Sequence, residues 1–423
     1  MPTSRMTQTL GNYTDVLNTR AILQGQDPGG TYRNVPVDFE GHLATRLAHP
    51  VSAFGDIRMV QPTPQLHVSF PYNINTELVS TTTANGGTVT QADSQAVLTS
   101  STDAAGSAIL ETRRVLKYRT GLGALARFTA VFTTGVASST QIIGIGDGED
   151  GFFVGYNGAS FGIMSRQDSS DTWVAQSSWS LDVLDGTGNS GMTLDQTKGN
   201  VYQISFQWLG YGKIIYSVEN QNTGDFIPVH EISYANQYTV PSIYNPSLPV
   251  HAECTNSGNT SSLVLKTASM SAFTEGLEKQ FGTSNSFYQE STHSTEESLF
   301  NILNKSTIGS TTNRVRVYLK NLSVANDVNK LARYNIYLNP TYDTTPSWTD
   351  VESTNSVVQT DVAATWQSGG KLLFTASVGK DSGAFFDLDN LDLFLAPGDS
   401  IAITSVNATS GLMSAALNWL EDF

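Results

Sequence analysis

One cysteine, Cys254, stands in 423 residues. A single thiol cannot close an intrachain disulfide, so this chain is not a stapled scaffold, and Cys254 reads as a small buried residue near the end of a strand. Charge is scarce as well: Asp, Glu, Lys and Arg make up 14% of the chain, well under the usual quarter. Cations are the scarcer sign, with 23 Lys and Arg against 38 Asp and Glu and a net charge of −15. Phosphate recognition needs clustered Lys and Arg, so nucleic acid is not expected as a partner. The nearest approach to a basic cluster is Arg113-Arg114-Val115-Leu116-Lys117-Tyr118-Arg119. On a strand it puts residues 113, 117 and 119 on one face and Arg114 on the other, and it reads as a solvated strand face or a subunit salt bridge. No apolar run approaches the ~18 residues of a membrane span, so no membrane insertion is expected. Met1-Pro2-Thr3-Ser4-Arg5 leads into polar residues rather than the apolar segment of a secretory signal.

Catalytic motifs are missing too. The six histidines (His42, His49, His67, His230, His251, His293) are scattered, with no His-Glu-x-x-His spacing. There is no Gly-x-Ser-x-Gly elbow and no phosphate-binding loop. Gly144-x-Gly146-x-Gly148 lacks the helix that a dinucleotide site requires. Glycoside hydrolysis needs two carboxylates flanking the scissile bond, and the adjacent Glu149 and Asp150 would point to opposite faces of a strand. No catalytic residue is assigned, and the chain is not expected to be an enzyme.

What the sequence has is turns. In residues 144–163, GIGDGEDGFFVGYNGASFGI, short apolar runs alternate with Gly, Asp and Asn. The acidic tip Asp147-Gly148-Glu149-Asp150-Gly151 separates Ile142–Ile145 from Phe152–Tyr156. Asn157-Gly158 then sets a tight turn, because Asn and Gly tolerate the positive φ that hairpins need. The result is an antiparallel meander. Further strands are expected at short intervals, among them Ala124–Thr134, Trp173–Ala175, Val201–Leu209, Lys213–Glu219, Phe226–Ile232 and Leu263–Phe273.

Residues 1–60 read as an N-terminal attachment segment: residues 1–35 are polar and irregular, with one short helix over Thr9–Leu23 and a turn at Gly25–Gly30, and residues 36–70 alternate more clearly, with a strand region at Val51–Val60. Residues 61–276 form the first β domain. Residues 277–292 lose the alternation and read as a linker. Residues 293–423 form a second β domain, with Arg314–Leu322 alternating strictly and further strands at Leu391–Leu395 and Ala415–Leu420. The fold class is all-β: two antiparallel β-sandwich or jelly-roll domains behind an irregular N-terminal segment.

The Gly144–Met164 meander, followed by the Val201–Tyr216 stretch VYQISFQWLGYGKIIY, resembles the concanavalin A-like (laminin G-like) jelly roll. Phe70-Pro-Tyr-Asn-Ile-Asn75, Thr81-Thr-Thr-Ala-Asn-Gly-Gly87, Leu395-Ala-Pro-Gly-Asp399 and the end Ala416–Phe423 are similar to modules of virion structural proteins of tailed bacteriophages and large DNA viruses. Together these stretches cover roughly residues 50–423. The resemblance implies a virion protein forming an exposed appendage, whether fibre, spike or tail component. Its partners would be other virion proteins, further copies of itself as a homotrimer, and a host cell-surface glycan. Rival readings are a minor capsid or decoration protein, a glycan-degrading virion enzyme and a free lectin-like binder. The trimer expectation rests on low charge and on strand edges near the chain end that need cover.

Lectin-like domains hold glycans with acidic, amide and aromatic side chains. Trp173, Tyr211 and Tyr156 could stack on a sugar ring, with Asn157 beside them. Trp208 is expected in the core. Asp147, Glu149 and Asp150 could hold Ca²⁺, a hard cation that takes carboxylate oxygens; no other cofactor is expected. Asp387, Asp389 and Asp392 read as ordinary loop acidity.

Overall fold

The computed structural model describes residues 24–26, 32–34, 62–276, 282–327 and 329–423. The chain divides into two compact units, residues 1–59 and 60–423. In the first, Gln24–Gln26 pairs antiparallel with Tyr32–Asn34. The helix expected over Thr9–Leu23 and the strand region at Val51–Val60 lie outside the described residues.

The second unit holds two β-sandwiches. Helix is confined, among the described residues, to the short 3-10 turns Gln176–Ser178 and Asp389–Leu391. In the first sandwich, seven strands run edge to edge: Ser170–Ala175, Ser160–Gln167, Gly151–Asn157, Ser139–Gly146, Val250–Asn256, Ser107–Thr112 and Val79–Ala84. The facing sheet has nine strands. Its main path is Phe226–Ile232, Ile214–Glu219, Asn200–Phe206, Gly123–Phe132, Val264–Thr267, Gln95–Thr99 and Thr88–Ala92; Ser269–Glu275 joins Gly123–Phe132 to Pro62–Ser69. The strand expected over Leu263–Phe273 is thus two, broken at Ala268 as the chain passes from one neighbour to the next.

Alternation builds this core. Along Gly123–Phe132, Ala124, Ala126, Phe128, Ala130 and Phe132 turn inward while Arg127, Thr129 and Val131 do not. Tyr202 and Phe206 meet them from the next strand, and Phe152, Val154, Tyr156, Phe161 and Ile163 from the facing sheet. The expected meander is present, with ladders Gly151↔Gly146 through Asn157↔Thr140 and Gly151↔Arg166 through Asn157↔Ser160.

The second sandwich packs two sheets. One runs Thr349–Asp350, Val358–Asp361, Glu297–Asn304, Ser400–Asn407, Ala332–Leu338, Lys371–Val378. The other runs Thr283–His293, Gly411–Asp422, Arg316–Asp327, Ser382–Asp387, with Phe394–Leu395 also on Arg316–Asp327. Trp419, Phe300, Tyr334 and Leu322 fill the space between.

Three sequence expectations change here. The linker read over 277–292 does not hold for its larger part, because Thr283–His293 is an eleven-residue strand. Its polar side chains hide the alternation: Phe287 is its one large apolar residue on the core side, since it lies at a sheet edge that buries little. The strict alternation expected across Arg314–Leu322 breaks at a bulge between Leu319 and Asn321, which keeps both Leu319 and Leu322 in the core. Ala415–Leu420 is not an edge but part of Gly411–Asp422, flanked by strands on both sides.

Candidate functional site

The acidic hairpin tip does not fit a metal. Asp147 Oδ1 accepts the backbone N–H groups of Glu149 (2.9 Å) and Asp150 (3.0 Å), closing the turn on itself. Its other oxygen is bound by the guanidinium of Arg314, from the second sandwich. Glu149 Oε1 accepts the Thr312 hydroxyl at 2.6 Å, and its Oε2 lies 3.7 Å from the same guanidinium. Asp150 is buried and accepts the amides of Tyr244 (3.0 Å) and Asn245 (2.9 Å). The expected Ca²⁺ role for Asp147, Glu149 and Asp150 is therefore corrected. A guanidinium already occupies the place of a cation, and backbone amides and the Thr312 hydroxyl bond to the same carboxylates.

Arg314 is one of several ties between the sandwiches. Arg119 pairs with Asp422 at 2.7 Å, and Arg114 pairs with Asp392 while covering the Phe394 ring at 4.5 Å. Arg316 donates to the Val115 carbonyl. The basic run 113–119 is thus a salt-bridging surface, with its partners in the same chain. Beside it, a cleft of about 410 Å³ lies between Glu77, Arg113, Asn339, Lys371, Asp392 and Asp399. Leu338, Leu373, Leu393 and Phe394 also line it, and Lys371 reaches Glu77 at 2.9 Å.

The four ligand candidates separate. Tyr156 is a core residue, edge-on to Phe132 and Phe161. It sits between inward Val154 and the hairpin, so the strand period turns it away from solvent, and the stacking role is corrected. Trp173 is half-buried and packs over Ile142, Phe153 and Met164 on the outward face of the seven-stranded sheet. Its indole N–H points to the Ser160 hydroxyl at 3.4 Å, and Ser160 is the ladder partner of exposed Asn157. Tyr211 lies elsewhere, in the turn after Asn200–Phe206, and is 38% exposed. Trp208, expected in the core, is half-buried against it and donates to the Ile243 carbonyl at 3.0 Å.

Around Tyr211 the structure builds a platform. The Tyr211 hydroxyl donates to the Thr239 carbonyl (3.0 Å), and Ser242 N–H donates to the Gly210 carbonyl (2.8 Å). Gly210 has φ +81°, which lets this turn close against Pro241. Two loops are clipped together in this way, and both present large apolar groups to water: Leu209, Tyr211, Tyr238, Val240 and Tyr244, with Tyr238 and Tyr244 each 52% exposed. Tyr238 stacks on Tyr234 at 4.3 Å, which fixes its ring. Sequence reasoning found Tyr211 and missed Tyr238 and Tyr244; the tyrosine-rich, charge-free run Tyr238–Tyr244 was the available signal.

A second constellation escaped sequence reasoning. One row across the outward face of the seven-stranded sheet reads Glu111, His251, Gly144, Phe153, Met164, Trp173. His251 is buried and bonded through Nδ1 to Glu111 (2.8 Å) and through Nε2 to Glu253 (3.4 Å). Burial alone would drag its pKa down, but the hydrogen bonds and charges of the two carboxylates outweigh this and push it up to about 9. Glu253, for which burial works upward, is held below the usual carboxylate range by His251, Thr255 and Arg166. Arg166 lies over the Phe153 ring at 5.4 Å and grips Asp171 at 2.7 Å. The signal was present in His251-x-Glu253, two ionisable residues on one strand face, but their partner Glu111 lies 140 residues away.

No protein-family model matches the chain, and no curated protein does. Solved structures do resemble it. A glycosyl hydrolase family protein from Mycobacterium fortuitum is 12% identical over 50% of this chain and 99% of its own, with a TM-score of 0.34. A legume lectin-like domain from Entamoeba histolytica is 11% identical over 50% and 97%, with a TM-score of 0.30. A Lotus tetragonolobus seed lectin is 9% identical over 51% and 100%, with a TM-score of 0.31.

Proposed function

We propose that this chain is a non-enzymatic structural protein of a virion exterior, a fibre, spike or tail component, whose first sandwich binds host-surface glycans. The observation that carries the binding reading is the platform of exposed Tyr211, Tyr238 and Tyr244 on two clipped loops. Rigid aromatic faces take the C–H side of a sugar ring with little ordering cost, and loops carry binding because strands are committed to the core. The appendage reading is supported by the low charge and by the resemblance of residues 70–75, 81–87 and 395–399 to virion modules. In it, residues 1–60 attach to other virion proteins. The non-enzymatic reading is supported by His251, which ties Glu111 and Glu253 to one buried imidazole on the sheet face.

A glycan array with the full chain, followed by titration of the best oligosaccharide, tests this. The Tyr211→Ala/Tyr238→Ala double variant is expected to lose affinity by about tenfold or more, with the melting temperature nearly unchanged. Undiminished binding removes the platform from the reading, and an array with no binding at any glycan removes the glycan.

A further inference from the structure

Thr283–His293 forms one edge of its sheet, paired with Gly411–Asp422 on one side and, among the described residues, with no strand on the other. Its eleven ladder pairs run from Thr283↔Glu421 to His293↔Gly411 without a register shift. At 3.4 Å per residue it presents about 37 Å of straight edge. Natural sheets blunt such edges with proline, lysine, bulges or brevity, because unpaired N–H and C=O groups invite another strand.

Every other terminal strand of the two sandwiches has one of these devices. Ser170–Ala175, Val79–Ala84, Thr88–Ala92, Ser382–Asp387 and Thr349–Asp350 have six residues or fewer. Phe226–Ile232 contains Pro228 and a shifted register, and Pro62–Ser69 contains two prolines and a shift. Lys371–Val378 begins on lysine and is shifted at Tyr337. Thr283–His293 has no Pro, Lys or Arg, and Glu290 is its one carboxylate. It is the undefended edge among the described strands of the two sandwiches.

We propose that this edge pairs with the same edge of a second copy, antiparallel, about a two-fold axis through Tyr288. The strand is built for its own partner. Tyr288 is its midpoint, so this register uses all eleven residues and keeps each core-side residue opposite a core-side residue. Half-buried Phe287 lies opposite the partner's Gln289, and Ser291 opposite the partner's Asn285. Glu290 meets the partner's Ser286, a hydroxyl, instead of a second carboxylate, so no like charges face each other. Tyr288 is 56% exposed and stands against its own symmetry mate, a cross-strand aromatic pair. The two five-stranded sheets become one, and the edge is abolished. In this proposal a two-fold pair stands in place of the expected trimer; of the two strands expected to need cover, Leu391–Leu395 and Ala415–Leu420, the second lies inside its sheet.

Sedimentation of the full chain at micromolar concentration is expected to show a dimer. Ser286→Glu sets two Glu–Glu contacts across the axis and should weaken the dimer roughly tenfold, whereas Ser286→Lys faces Glu290 and should hold or tighten it. Both changes fall on an exposed side chain, and an unchanged melting of the sandwiches verifies folding. Tyr288→Cys should give a covalent dimer on mild oxidation, since opposed antiparallel Cα atoms lie within disulfide reach and the native Cys254 is buried. A monomer at all concentrations overturns the proposal. So does a dimer or trimer indifferent to the sign of the charge at position 286, and so does a strand from a different protein found on this edge.

Discussion

His251 makes stability depend on pH in a definite direction. Its pKa is raised from the ordinary imidazole value to about 9 in the folded chain. The folded state therefore holds the proton more tightly than the unfolded one. The contribution is complete below about pH 6.5, declines as pH rises, and is gone above about 9, an effect on the order of 3 kcal/mol. The urea midpoint should fall between those values, and His251→Gln should flatten that fall. Asp150 acts through backbone: it holds the amides of Tyr244 and Asn245, so Asp150→Ala should free the Tyr238–Tyr244 loop. Stability should drop by about 1–3 kcal/mol and glycan affinity should fall as well, read by calorimetry and by titration. Trp173 is expected to behave otherwise. It covers Ile142, Phe153 and Met164, so Trp173→Ala should lower the melting temperature and leave glycan affinity at the tyrosine platform unchanged.

At the scale of elements, the strands that were legible are those with one buried face. Gly123–Phe132 and Gly411–Asp422 follow the period of two that a half-buried strand writes into consecutive residues. Those not legible were polar or interrupted. Thr283–His293 is held by backbone pairing and by Asn285, whose amide reaches the buried carboxylate of Glu421 at 2.8 Å, together with Ser356, Val357 and Trp419. None of that is visible as periodicity. Glycine placement was visible, but its reason was not. Gly155 has φ +155°, and a Cβ there would stand 1.9 Å from the Gln141 carbonyl. Gly155→Ala should thus separate two central strands and cost more than about 2 kcal/mol, measured by the urea midpoint.

For the whole molecule, the second unit unfolds as one body if the ties between its sandwiches hold. Arg314 is buried between Asp147, Glu149 and the Asn245 carbonyl. Removing one partner of a buried pair costs about 3–5 kcal/mol, since the other charge is left without compensation. Calorimetry of the native chain should show a single transition for residues 60–423. In Arg314→Ala/Arg119→Ala it should split into two, one for each sandwich. A single unshifted transition in that variant would mean the sandwiches are joined by packing and not by these charges.

By itself the sequence determined the class of structure. An alternating pattern with glycine and asparagine turns, one cysteine and little charge leaves antiparallel sandwiches as the way to bury this chain's apolar side chains. It also placed the 142–164 meander and put Tyr211 at a turn, because hairpins are local and a turn tyrosine has no core to enter. Tertiary structure decided what the ionisable groups do. Asp147 meets Arg314 across 167 residues, His251 meets Glu111 across 140, and Asp150 holds Tyr244 across 94. Periodicity reports only which side of its own strand a residue faces. Which distant side chain waits there is set by sheet order and by the docking of one sandwich on the other, and so an apparent metal site became a salt-bridged tie between them.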